Sequence, residues 1–269
     1  MNAEILGLEA AAVRIGGRRI LGPLDLAVTS GEHWVLLGPN GSGKTTLLSL
    51  AGAWRQPSEG RVRVLGEALG QVDVRRLRGR IGHVSHAVAD RLRPALTALD
   101  VVLTGKAAVL ETWWLELSDD DREAARSLLQ EMGCGALADR PLGTCSLGER
   151  QRVLIARALF GAHPLLLFDE PAAGLDLPAR ERLLAAMTSA ANRSDAPTTL
   201  LATHHLEEVP PTVTHAALLR EGRLVAAGSV ATVLAGEPLS ACYGIDVTVH
   251  RREGRWSARA AGSAGSSRR

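Results

Sequence analysis

The chain has 269 residues, 46% hydrophobic and 22% charged, enough for one large domain or a core with an inserted subdomain and unlike a disordered segment. Its 31 Lys plus Arg against 29 Asp plus Glu leave a formal charge of +2, too small to argue for nucleic acid, and no such partner is expected. The three cysteines, Cys134, Cys145 and Cys242, show no Cys-x-x-Cys spacing and form an odd set, which fits a reduced compartment and supplies no metal site.

The opening "MNAEILGLEA" carries acidic residues where a secretory leader has basic ones, and no apolar run approaches the roughly 18 residues that span a bilayer. A cytoplasmic protein is expected, meeting the inner face of the cell membrane only through a partner. Residues 4–28 hold short apolar segments broken at Gly16-Gly17 and Gly22-Pro23, which read as a small antiparallel β-region with turns at both dipeptides. Next comes "WVLLGPNGSGKTTLL": four apolar residues, a glycine-rich loop, then a helix over 45–53.

That loop meets the pattern Gly-x-x-x-x-Gly-Lys-[Ser/Thr] at Gly38, Gly43, Lys44 and Thr45. Glycines let backbone N–H groups turn inward around an anion, and the following helix adds the positive end of its dipole. Lys44 would reach the β- and γ-phosphates, and the Thr45 hydroxyl would ligate Mg²⁺. The chain has only two lysines, Lys44 and Lys106, so a Lys here stands out against the general use of Arg.

Beyond the loop, 61–66 and 79–86 read as strands, and about 94–160 has helical periodicity with no convincing strand. Ser118 and Asp121 mark a helix start, so the triplet Asp119, Asp120 and Asp121 is read as a charged first turn and not as a metal cluster. Alternation of strand and helix then resumes: 165–168, a helix near 178–191, 199–203, and a hairpin over 217–228 turning at Glu221-Gly222. The class is α/β with a helical insertion. An apolar strand delivers Asp169 and Glu170 at its C-terminal end, where open α/β sheets bind ligands. Asp169 would hold Mg²⁺ through its water shell, and Glu170 would orient or deprotonate an attacking water. Between the two motifs, Ser146-Leu147-Gly148 is a turn feeding a helical run and, taken alone, reads as a helix cap.

In order, "GPNGSGKTT", "IGHVSH", "CSLGE", "LLLFDE", "AGLD" and "TH" resemble the motif series of the nucleotide-binding subunit of ATP-binding cassette (ABC) transporters, over about residues 5–235. The resemblance implies a P-loop NTPase with a RecA-like core, an N-terminal antiparallel β-region and a helical subdomain at about 94–160, all within an ATPase domain of residues 1–235. It implies an Mg²⁺-dependent ATPase whose phosphate loop is Gly38, Pro39, Asn40, Gly41, Ser42, Gly43, Lys44, Thr45 and Thr46. Glu170 matches the catalytic carboxylate, His204 the γ-phosphate sensor, and Asp176 the D-loop residue at a dimer seam. The signature Ser146, Leu147, Gly148 and Glu149 of one copy would cover ATP held by a second copy or by a paired cassette subunit. His205 has no role in this scheme.

Three positions depart from the family. Ile15 stands where an aromatic usually stacks on adenine, implying an apolar contact with some help from Arg14 and weaker base selectivity. His86 stands at the glutamine that touches Mg²⁺ or water, which makes turnover sensitive to pH near neutrality. Leu147 replaces the first of two signature glycines and narrows backbone freedom there. One cassette with no membrane segment resembles the separate ATPase of an importer, working on a transmembrane permease. "CSLGERQRVLIARAL" and "THHLEEVP" are closest in look to molybdenum- or iron-type uptake ATPases. The alternatives are a soluble cassette protein of DNA repair or translation, for which two cassettes in one chain are expected, and a non-hydrolysing regulator, which Glu170 and His204 oppose. Residues 236–269 read as an extension: a hairpin bearing Arg251, Arg252, Arg255 and Arg259, then a disordered basic tail.

Overall fold

The computed structural model describes residues 3–112 and 115–261. Strands β1 (Glu4–Ile15) and β2 (Arg18–Thr29) pair antiparallel, β3 (His33–Leu37) leads through the glycine loop into α1 (Lys44–Ala51), and β4 (Glu59–Val64) and β5 (Glu67–Ala68) return to β1, giving a sheet of order β2-β1-β4-β5. The expected turn at Gly22-Pro23 is not a chain reversal. β2 runs through it, with slips in the register against β1. Gly22 takes a φ of 76° and its missing Cβ leaves room for the Ala11 carbonyl, so the glycine serves close strand approach. The strand expected at 61–66 ends at Val64, because Leu65 and Gly66 both take positive φ to turn into β5.

After α2 (Val74–Arg78), β6 (Ile81–Val84) stops short of the expected 86, and His86 opens a short helix α3 (His86–Ala89). Ser85 is the cause: its hydroxyl accepts the Val88 N–H at 3.3 Å and draws the backbone into a turn. Helices α4 (Ala98–Leu103), α5 (Asp119–Glu131) and α6 (Leu147–Phe160) follow, with no strand among the described residues before β7 (Leu165–Asp169). The acidic triplet does open α5, where Ser118 and Asp121 exchange hydrogen bonds as a capping box and Lys106 reaches Asp121 at 2.7 Å. Lys106 above all pulls the Asp121 carboxyl down to about 2. Arg157 of α6 is 3% exposed, and its guanidinium ties α6 to the segment after α4 through the Thr104 hydroxyl (2.8 Å) and the Val109 carbonyl (2.7 Å).

Next come α7 (Leu177–Ala191), β8 (Thr198–Ala202), the hairpin β9 (His215–Arg220) and β10 (Arg223–Ser229), α8 (Val230–Val233), α9 (Gly236–Tyr243) and a terminal hairpin of β11 (Val247–Arg252) and β12 (Arg255–Ala260). The main sheet has order β10-β9-β3-β8-β7-β6, parallel except for β10. Helices and the first sheet cover its two faces, so side chains alternate between two cores: Trp34 and Leu36 join Leu6, Leu47 and Leu200, while Val35 and Leu37 join Val153, Leu154 and Phe168. A strand buried on both faces must be apolar throughout, which explains why β3 and β7 read as runs and not as alternations. Leu239, Cys242 and Trp256 belong to the second core, so α9 and the terminal hairpin are packed onto the same body. The cysteines are free and buried, and burial pushes the Cys134 and Cys242 thiols up to about 11. Trp113 and Trp114, which as neighbours on a helix cannot both face one core so that one is expected near the surface, and the tail 262–269, expected to be disordered, lie outside the described residues.

Candidate functional site

Three neighbouring parallel strands, β3, β8 and β7, end at one edge of the main sheet, and each hands its next residues to the same cleft. After β3 the loop is pinned from outside. A Cβ on Gly38 would strike the Leu219 carbonyl of β9, and the Gly222 N–H of the β9–β10 turn donates to the Ser42 carbonyl at 3.0 Å. Glu221 and Gly222 take φ of 52° and 75°, the left-handed pair that a two-residue hairpin turn needs. Gly43 caps α1 with φ 105° and gives it no side-chain hydrogen bond, so the first N–H groups of the helix stay free for an anion. The Ser42 hydroxyl is likewise buried without a partner.

Lys44 is 5% exposed, and its ammonium donates to the Gly38 carbonyl at 2.9 Å and the Pro39 carbonyl at 3.2 Å, with Glu170 at 3.7 Å. Burial lowers its pKa, against the pull of Glu170 and Asp169. The Thr45 hydroxyl donates to Asp169 Oδ1 at 3.1 Å. A hydroxyl and a carboxylate meeting beside a phosphate loop are hard oxygen donors, and such a pair suits Mg²⁺ shared with substrate phosphates. Glu170, at the end of β7, holds a φ of 49°, its N–H donates to Ala202 of β8, and its Oε2 lies 2.8 Å from His204 Nδ1. The His205 ring meets that of His204 at a tilt of 43° with centroids 3.9 Å apart, and the Thr203 hydroxyl bonds the Glu208 carboxylate.

These groups line a cleft of about 690 Å³ that includes Asn40, Gly41, Ser42, Gly43, Lys44, Thr45, Thr46, Asp169, Glu170 and His204. Gly38 and Pro39 stand behind it as acceptors for Lys44. Ile15 does not line it. It sits 48% exposed at the β1–β2 reversal, and Ile20 lines the cleft instead. His86 begins α3 near the cleft wall, and its side chain lies outside the described residues. Sequence reasoning missed Trp54 and His83, which also line the cleft, with Trp54 Nε1 donating to His83 Nδ1 at 2.9 Å. Trp54 donates only, so the neutral His83 ring carries its proton on Nε2, which is buried and without a partner. Burial, then Arg157, lowers the His83 pKa to about 4.

The signature residues go elsewhere. Ser146 caps α6 in a capping box with Glu149, whose carboxylate accepts the Ser146 N–H at 2.7 Å. Ser146, Gly148 and Glu149 line a separate cleft with Gly174, Leu175 and Asp176, and no residue of that cleft lines the phosphate cleft. Asp176 caps α7 through the Ala179 N–H at 2.9 Å. Leu147 and Leu177, beside these caps, are 63% and 61% exposed.

A family model described as ABC transporter matches residues 21–173. The uncharacterized ABC transporter ATP-binding protein YlmA of Bacillus subtilis (strain 168) is 39% identical over 247 residues, covering 91% of this chain and 92% of that protein. The hemin import ATP-binding protein HmuV of Streptomyces coelicolor (strain ATCC BAA-471 / A3(2) / M145) is 35% identical over 246 residues, covering 90% and 85%. Among solved structures, the dimeric post-hydrolysis state of an ATP-binding cassette bound to ADP and Pi superposes with a TM-score of 0.74 at 25% identity, covering 84% of this chain and 99% of that one.

Proposed function

The chain belongs to the ABC transporter family as an ATP-binding subunit with ATPase activity, and from that premise we propose that it works as a head-to-tail dimer driving a separate membrane permease, as an importer. The observation that carries the dimer is the separation just described: Ser146 and Gly148 stand ready on one face, beside exposed Leu147 and Leu177, and touch nothing of their own chain's phosphate cleft. A second copy turned end for end would bring its signature cap, N–H groups outward, onto the bound nucleotide.

In this reading Lys44 moves from the loop carbonyls to the β- and γ-phosphates, and the free N–H groups of α1 hold the same oxygens. Thr45 and Asp169 would hold Mg²⁺, which would supply positive charge against that developing on the phosphates. Glu170 takes the proton of the attacking water, and His204, bonded to that carboxylate and lining the cleft, orients it and would sense the γ-phosphate. His86 would stand in for the family's glutamine beside Mg²⁺ or water, and Ile20, which lines the cleft where Ile15 does not, would give adenine an apolar edge and a relaxed choice of base. The ATPase unit is residues 1–235 with its helical subdomain at about 94–160, and 236–269 is an extension. The permease would hold the subunit at the inner face of the membrane, since no helix among the described residues is long and apolar enough to cross one. A hemin importer among the relatives supports import, and the finer grouping with molybdenum- or iron-type uptake rests on "CSLGERQRVLIARAL" and "THHLEEVP".

Glu170→Gln tests the reading. Turnover should fall by about a hundredfold or more while ATP still binds, and sizing chromatography with ATP should show a dimer. A variant that stays monomeric, or hydrolyses at the parent rate, rules the two-site dimer out.

A further inference from the structure

The terminal hairpin β11–β12 has no part in the chemistry above, yet it touches two segments that do. Arg255, the first residue of β12, makes a forked pair with Glu181 of α7, at 2.8 Å to Oε2 and 3.2 Å to Oε1, and donates to the Glu207 carbonyl at 2.8 Å. Glu181 lies five residues along α7 from its cap Asp176, the D-loop residue. Glu207 lies in the 3-10 turn Leu206–Glu208, directly after His204 and His205. Trp256, 8% exposed, anchors the strand in the core that also holds Leu206, Val209 and Val213.

Between the His204 loop and the D-loop lies a cleft of about 320 Å³ lined by Glu170, Gly174, Arg180, His204 and Glu207. Side chains do not fill that gap, so direct packing there does not fix the distance between the two loops. His204 has a tilted ring contact with His205 in its own loop and one bond to Glu170 outside it, while Thr203 and Glu208 clip the loop's two ends together. The loop is thus clipped on itself and rooted in the core through Leu206 and Val209, but none of these contacts ties it to α7. Arg255 supplies that tie, because a planar fork bonded to two acceptors fixes both distance and angle. Its hold also keeps the Glu181 carboxyl below the usual carboxylate range, so the pair is ionised at neutral pH.

We propose that Arg255 is a positioning residue for hydrolysis: the terminal hairpin is a strut that ties the His204 loop to α7 and, through that helix, to the D-loop. The proposal rests on the ATPase reading above, with Glu170 and His204 as its working pair.

The test compares the full parent chain with Arg255→Ala, Arg255→Lys and Glu181→Gln, by steady-state ATPase and by hydrogen exchange of the backbone amides. Arg255→Ala should lower kcat by about tenfold and leave the KM for ATP within about twofold, because the phosphate loop is untouched while the water-facing pair drifts. Amides 204–209 should exchange faster than in the parent, and those of 40–46 should not change. Arg255→Lys should recover part of kcat, since an ammonium reaches one acceptor but cannot span both, and Glu181→Gln should fall between parent and Arg255→Ala. A merely structural appendage would instead lower the melting temperature and leave kcat and the 204–209 amides as they are, which overturns the strut. A parent chain that does not turn over ATP removes the ATPase reading, and the exchange of amides 204–209 still decides the brace.

Discussion

The phosphate cleft and the signature cap are built on the same physics, a helix N-terminus after a short turn, yet they end in opposite states. At the phosphate cleft, α1 has no capping side chain, Lys44 is buried against its own loop carbonyls, and Asp169, Glu170 and His204 arrive from two neighbouring strands. At the signature, α6 is closed by its own Ser146–Glu149 box, Arg140 reaches Glu149 at 3.5 Å, and the flanking Leu147 lies in the open. A capping box contributes about 1 kcal/mol to helix stability, so the signature is held in shape without a ligand, whereas α1 leaves that gain to the nucleotide. The difference teaches that one chain carries an open helix start inside the phosphate cleft and a self-closed one on a face that does not meet that cleft.

The largest effect that could break this comparison comes from Lys44→Ala, which should weaken MgATP binding by about a hundredfold or more because the charge meeting the terminal phosphates is gone. Titration calorimetry measures it, and parent-like affinity would reduce the loop to a turn. A sharper experiment places one defect in each region. Ser146→Arg should bind ATP as the parent does and lose turnover by about a hundredfold. Mixed with Lys44→Ala it should regain activity that neither variant has alone, since each mixed dimer holds one intact pair of phosphate cleft and signature cap. Mixtures as inactive as their components would mean that the two regions never meet across copies.

The smallest effect concerns only the cleft wall. The His83 pKa, about 4 in the fold, lies below the ordinary histidine value of 6.5, so between these values the unfolded chain binds a proton that the folded chain refuses. Stability is therefore complete above pH 6.5 and declines as pH falls toward 4, by up to about 3 kcal/mol. Gln still offers Trp54 an acceptor, so melting temperatures of His83→Gln should fall less steeply over that window than those of the parent. Parallel slopes would show that the ring is not the proton acceptor.

Much of the phosphate cleft was legible in the chain because its parts are short and local. Gly38, Gly43, Lys44 and Thr45 lie within one loop, and Asp169 and Glu170 close one apolar run beyond it, so short spacings taken in that order mark them as candidates. The failures share a cause of the opposite kind. Trp54 meets His83 across 29 positions and Arg255 meets Glu181 across 74, and neither pair has a spacing that repeats or a pattern that marks it. Gly22-Pro23 read as a turn because local chemistry favours one, but the pairing of β2 with β1 on both sides of it carries the strand through.

By itself the sequence determined the alternation of strand and helix, the phosphate loop and the acidic pair, since those follow from which residues are apolar and which backbone angles glycine permits. Tertiary structure decided which distant groups share the cleft, that Ile20 and not Ile15 lines it, and that the signature faces away from it. The reason is that strand order is chosen by burial of whole faces. β7 and β8 lie side by side because both must be covered on two sides, and only that choice sets His204 against Glu170.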